Sequence, residues 1–265
     1  MRGPTPASVM LSVHTGRSAM PVPGSIRMTA GAERRFYGGM AVAILAVAIL
    51  GFARTYFLRP ILPVPTPAPP ALTHLVHLHA LLFTAWVVLL LIQTRLVAAR
   101  RIDLHVRLGV IAAGVAVVMV VVGVLVALHA VLRGVAPFGM DPYRFMIVPL
   151  VAITLFAVFV VAGIRARRRD SQAHKRYMLL GTIALLPPAV ARWALLLGLG
   201  PPIVLTVATL FLVPLFVWDW KALGRIHPVT LWGGLAIAVS GPLRLLVSRT
   251  DGWSTVSHWL VSLVT

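Results

Sequence analysis

The chain has 265 residues, 59% of them hydrophobic and only 11% charged, and a mean hydropathy of +0.94, which excludes a soluble domain because such a domain needs far more polar surface to cover its core. Cysteine is absent, so disulfides, thiolate metal sites and thiol catalysis within the chain are excluded. The net charge of +18 is spread over short loops between apolar blocks, a pattern that points to membrane topology and contact with anionic lipid and not to nucleic acid.

Residues 1–35 are rich in Pro, Gly, Ser, Thr and Arg and lack the unbroken apolar core of a signal peptide, so they are expected to be disordered. Met10, Met20 and Met28 offer alternative translation starts within this stretch. Seven apolar segments follow, at 36–58, 72–98, 108–132, 143–165, 177–198, 202–220 and 229–248. Each is close to the ~20 residues that cross a bilayer as a helix. Inside hydrocarbon, backbone N–H and C=O groups must pair within their own segment, and the alternating segments of a β-barrel are missing. The predicted fold is therefore all-α, a polytopic transmembrane helical bundle of about seven spans over residues 36–248. In the tail, 249–265, Trp253, Val256, Leu260 and Leu263 recur at helical spacing and predict a short amphipathic helix at the membrane interface.

Basic residues fall in alternate loops: Arg34 and Arg35, then Arg100, Arg101 and Arg107, then Arg165, Arg167, Arg168, Arg169, Lys175 and Arg176, then Lys221 and Arg225. The intervening loops are poor in charge and rich in proline, as at Pro60 to Pro70. The positive-inside bias places the N-terminus in the cytoplasm and the C-terminus outside. Phe36, Tyr37, Tyr56, Tyr143, Tyr177, Trp218 and Trp220 sit at segment ends, where an aromatic belt is expected. A retinal protein needs a buried lysine for its Schiff base, and the only lysines, Lys175 and Lys221, are in loops.

Few polar groups remain to carry chemistry. His74, His77 and His79 open the second span and are candidate metal ligands, because imidazole suits transition metals. His79 heads a stripe through Phe83, Trp86, Leu90 and Gln93 that should face protein, since polar groups are costly against lipid. His129 is expected at the depth of His77 and His79, and His105 at the depth of His174. These five histidines are candidate cofactor ligands in two layers, one at each membrane face, and haem b is a possible cofactor because axial imidazoles must come from facing helices. Packing and interfacial hydration are the competing roles for all of them. Pro187 and Pro188 predict a kink in the fifth span. Arg54, Arg192 and Arg244 lie inside apolar segments and must snorkel, or meet an anion or a lipid. The six acids, Glu33, Asp103, Asp141, Asp170, Asp219 and Asp251, are all outside the middle of the spans, which weakens a proton-relay transporter.

The run from His77 and His79 through Gln93 and Arg95, then His105-Val-Arg-Leu-Gly109, then His174-Lys-Arg-Tyr-Met178 and Arg192, resembles a group of bacterial multi-pass membrane proteins of unknown function. The resemblance covers roughly residues 72–192 and implies an α-helical bundle in a bacterial inner membrane, with no activity attached. By histidine placement alone the chain is also similar to haem-binding cytochrome b bundles and to small membrane factors of respiratory oxidase assembly, without a complete haem-ligand motif. The expected function is a binding or assembly module of the membrane acting on lipid, quinone or partner membrane proteins. The alternatives are a haem-binding redox protein and a transporter of a small anionic solute. No catalytic constellation is identifiable, and any enzyme would be an oxidoreductase.

Overall fold

A computed structural model describes residues 29–62 and 71–265. The expectations for residues 1–28, including the alternative starts, and for most of the Pro60–Pro70 loop lie outside the described residues. All regular structure among the described residues is helical. The helices are α1 (Ala30–Phe52), continued by a π-helical turn (Ala53–Phe57), then α2 (His74–Ala98), α3 (Ile102–Leu132), α4 (Pro142–Phe145), α5 (Ile147–Ala166), α6 (Ser171–Ile183), α7 (Pro187–Leu196), α8 (Pro201–Leu210), α9 (Val213–Leu223), α10 (Pro228–Val247) and α11 (Asp251–Ser262). Taken with their continuations they form seven helices long and apolar enough to cross a membrane: Ala30–Phe57, His74–Ala98, Ile102–Leu132, Pro142–Ala166, Ser171–Leu196, Pro201–Leu223 and Pro228–Val247.

The spans match the hydropathy blocks, but three of them start earlier, on charged sequence. The first begins at Ala30 because Thr29 accepts a hydrogen bond from the Ala32 amide as an N-cap, with Glu33 in the first turn to complement the helix dipole. The third begins at Ile102 and the fifth at Ser171, where the Asp170 carboxylate accepts from the Ala173 amide. His105 and His174 therefore sit on helices and not in basic loops. The fifth span breaks at residues 184–186, immediately before Pro187, where proline removes donors from the backbone ladder. The π-helical turn in the first span was not signalled by the sequence.

The interior is built from facing apolar stripes. Trp86 of α2 is buried, lies edge-on to Phe156 of α5 at 4.9 Å, and donates its indole N–H to Thr182 of α6 at 3.1 Å. A second cluster joins Ile44 of α1, Leu180 and Ile183 of α6, Leu215 of α9 and Ile237 of α10. Of the aromatics expected at the interface, Tyr37 and Trp218 are buried, and Phe36 stacks on Trp218 at 4.6 Å. Trp220 alone of this pair of tryptophans is exposed, at 65%. The tail helix α11 docks against the bundle. Trp253 donates to the carbonyls of Tyr143 and Arg144 at 3.1 and 3.2 Å, and Tyr143 stacks on His258 at 3.9 Å.

At the end of the bundle that carries the basic loops, several charges are tied into the protein. Arg176 and Asp219 are both fully buried and form a bidentate pair between α6 and α9, with Arg176 Nε 3.0 and 3.3 Å from the two carboxylate oxygens. Arg176 also donates to the carbonyl and side chain of Gln172. Lys175 pairs with Glu33 of α1, which accepts from Gln172 as well. Asp219 closes the network by accepting from the His227 amide at 3.1 Å.

His227 caps α10 by accepting the Val229 amide on Nδ1, a role that requires the unprotonated nitrogen. Burial, reinforced by the charge of Arg176, holds its pKa below the ordinary imidazole value. The folded chain thus binds this proton less readily than the unfolded one, so the contribution is complete above the unfolded pKa and is lost as pH falls from there through the folded pKa. Thermal stability in detergent is expected to fall between pH 8 and pH 5 by less in His227→Asn, which keeps a capping oxygen and does not titrate, than in the parent.

Candidate functional site

The two predicted histidine layers have different fates. At the basic end, His105 of α3 and His174 of α6 come together, with ring centres 6.3 Å apart and planes at 86°. His174 Nδ1 donates to the Gly163 carbonyl of α5 at 2.9 Å, which fixes the tautomer and leaves Nε2 as the nitrogen available to a ligand. Gly163 is where α5 and α6 touch: a β-carbon there would strike the Met178 methyl and lie 3.1 Å from Tyr177 Cβ. Gln93 of α2 donates to the His105 carbonyl at 3.2 Å. Two buried polar atoms in this group, Gln93 Oε1 and His105 Nδ1, have no hydrogen-bond partner among the described residues. An unpaired buried acceptor or donor costs on the order of 1–3 kcal/mol, so such atoms mark a place for a ligand or ordered water.

At the opposite end the histidines are dispersed. His77 Nδ1 lies 3.1 Å from the Tyr56 hydroxyl, and the His79 ring centre is 4.0 Å from that of Phe83, the rings tilted by 33°. His79 Nδ1 and His129 Nε2 are buried without a partner among the described residues. The proposed metal set of His74, His77 and His79 is not assembled: among the described residues no group of three or more His, Asp or Glu side chains is placed to hold a metal ion. The reason is helical phase, since residues five apart on a helix point in different directions. Among the described residues, the ring contact between histidines of two facing helices is that of His105 and His174.

Arg192 of α7 stands beside the dispersed histidines. Its Nε donates to Thr55 Oγ1 at 2.9 Å, its Nη1 to the Pro188 carbonyl at 2.6 Å, and its guanidinium carbon lies 3.8 Å from the Phe52 ring centre. The charge of Arg192 acts on His79. Thr55 belongs to the π-helical turn, and Pro188 follows the break in the fifth span, so two interruptions of regular helix meet at this guanidinium. Such interruptions are tolerated at membrane depth where they line a protein-enclosed space. Close approach makes the junction possible: a β-carbon on Gly51 would lie 2.6 Å from the Ala189 carbonyl oxygen.

All six acids of the chain are engaged elsewhere. Glu33 and Asp219 lie in the buried network, Asp103 faces Arg101, Asp251 faces Arg144, and Asp141 and Asp170 cap helices. No carboxylate of this chain is left for Arg192. Arg244 is separate: it is buried and donates to Ser240 and to the Val148 carbonyl of α5 at 3.1 Å, which ties α10 to α5. The three intramembrane arginines therefore do not converge on one site through Arg244, while Arg54 lies in the same π-helical turn as Thr55.

Sequence reasoning missed Glu33, Gln172, Arg176 and Asp219 as interior polar groups. The readable signal was Asp219 between two tryptophans at the end of an apolar run. No protein-family model, curated protein or solved structure matches the chain.

Proposed function

We propose that the protein is a multi-pass membrane protein that binds an amphiphile with an anionic head, its carboxylate or phosphate meeting Arg192 where the first and fifth spans touch. The observation that carries this reading is a cation inside a span with no carboxylate to neutralise it. Arginine stays charged at any usable pH, and an ionic group at membrane depth is functional by default. Only part of the guanidinium fork is committed within the protein, to Thr55 and Pro188, and Nη2 has no bond among the described residues. His79 Nδ1, buried and unpaired nearby, adds a donor for the same head group. The basic loops orient the N-terminus to the cytoplasm and contact anionic lipid, as in a bacterial inner membrane.

Native mass spectrometry of detergent-purified protein with phosphatidylglycerol, and separately with a long-chain fatty acid, tests the site. Arg192→Gln is expected to weaken binding by at least about ten-fold, the value of a charge-assisted hydrogen bond. Equal binding by the parent and Arg192→Gln contradicts the reading.

A further inference from the structure

The histidine pair at the basic end owes nothing to Arg192 and has its own chemistry. Two imidazoles on one metal ion, each at a metal–nitrogen distance of about 2.0–2.1 Å, have ring centres about 5–6.5 Å apart, depending on the angle at the metal. His105 and His174 stand at 6.3 Å, the wide-angle end of that range. His174 already makes the outer hydrogen bond that metal-bound histidines make, Nδ1 to a backbone carbonyl, which leaves Nε2 as the nitrogen available to an ion. His105 presents a buried Nδ1 with no other use. Met178 lies one turn beyond His174 on α6, and its methyl rests against the same Gly163 that accepts from His174.

We propose that His105, His174 and the thioether of Met178 form a copper(I) site, with Gln93 Oε1 beside it as an acceptor for a bound water. The donor set decides the metal. Imidazole and thioether are neutral and borderline to soft, and magnesium or calcium would require oxygen ligands. With every carboxylate of the chain engaged elsewhere and no cysteine present, the site offers no negative charge. Burying a single positive charge beside neutral donors costs far less than burying two, so a monovalent ion is favoured over zinc(II). Wide-angle coordination by two nitrogens suits an ion content with two or three ligands. The site is built by three helices, α3, α5 and α6, and so binding would also fasten α3 to α6.

The test uses the full-length chain purified without a polyhistidine tag and titrated with copper(I) delivered as its bicinchoninate complex, whose loss of colour reports transfer. The parent is expected to take one copper(I) per chain. His105→Gln and His174→Gln should each weaken binding ten-fold or more, and Met178→Leu several-fold, with circular dichroism and melting temperature showing that each variant is folded. Should one substitution fail to fold, the other two carry the comparison, and X-ray absorption of the loaded parent must show nitrogen neighbours and a sulfur. Absence of transfer to the parent, or affinity unchanged in the folded variants, overturns the proposal. So does a Soret band in protein as purified that disappears in either histidine variant, because the pair would then serve haem iron.

Discussion

Asp219→Ala is expected to destabilise the protein by about 3–5 kcal/mol, the cost of leaving a buried charge without its partner. Arg176 is fully buried and finds its only carboxylate in Asp219. Removing that carboxylate strands the guanidinium on the Gln172 side chain and carbonyl, and it also deprives the His227 amide of its acceptor. Asp219→Asn keeps one acceptor oxygen, which serves Arg176 or the His227 amide but not both, and should lose less than the alanine. Replacing the pair together by Arg176→Met and Asp219→Leu removes both charges and should cost less than Asp219→Ala alone, because desolvation is then no longer opposed by a missing partner. Denaturation followed by tryptophan fluorescence in detergent ranks the three. If Asp219→Ala unfolds with the parent, the buried pair does not hold α6 to α9.

Gly51→Val is expected to cost about 1–3 kcal/mol, the usual range for overpacking, and to abolish binding at Arg192. The glycine is required by approach and not by backbone conformation: it lies within α1, and a β-carbon would be 2.6 Å from the Ala189 oxygen and 2.8 Å from Ala189 Cβ. The first of those atoms is backbone and cannot swing aside. Separation of α1 from α7 would break the Arg192–Thr55 hydrogen bond and lift Phe52 from the guanidinium. Gly39→Ala, in the same helix with nothing within 4 Å of the added carbon, should be neutral or slightly stabilising. Thermal melts and lipid binding on the two variants separate a local packing effect from a general intolerance of α1 to substitution.

The spans were legible because lipid imposes one rule on every segment, and blocks such as Ile147–Ala166 satisfy it with almost no polar residue. The helical starts at Ile102 and Ser171 were not. Their first two turns carry Asp103, Gln172, Lys175 and Arg176, so hydropathy reads them as loop, although the cap at Asp170 is readable as an acid before Ser-Gln-Ala. That shift of six residues is what turns His105 and His174 from loop residues into groups held on helices, within 6.3 Å of each other. The shared depth of these two was legible from antiparallel spans, but their contact depends on rotation of α3 and α6 about their own axes. The same holds for Asp219 and Arg176, 43 positions apart, and Lys175 and Glu33, 142 apart. Nothing local in the sequence encodes such pairs. The π-helical turn at Ala53–Phe57 has no compositional mark, yet it decides where Thr55 and Tyr56 point.

The seven-fold crossing is tested most directly by which side of the membrane each end of the described chain occupies. The natural absence of cysteine makes single reporters clean: Ala30→Cys, at the very start of the first span, and Thr265→Cys, after the tail helix, both at exposed positions. Intact cells are treated with a membrane-impermeant maleimide before and after permeabilisation. Seven crossings put the two positions on opposite sides, so Thr265→Cys should label in intact cells and Ala30→Cys only after permeabilisation. Labelling of both, or of neither, in intact cells would mean an even number of crossings and would contradict the architecture.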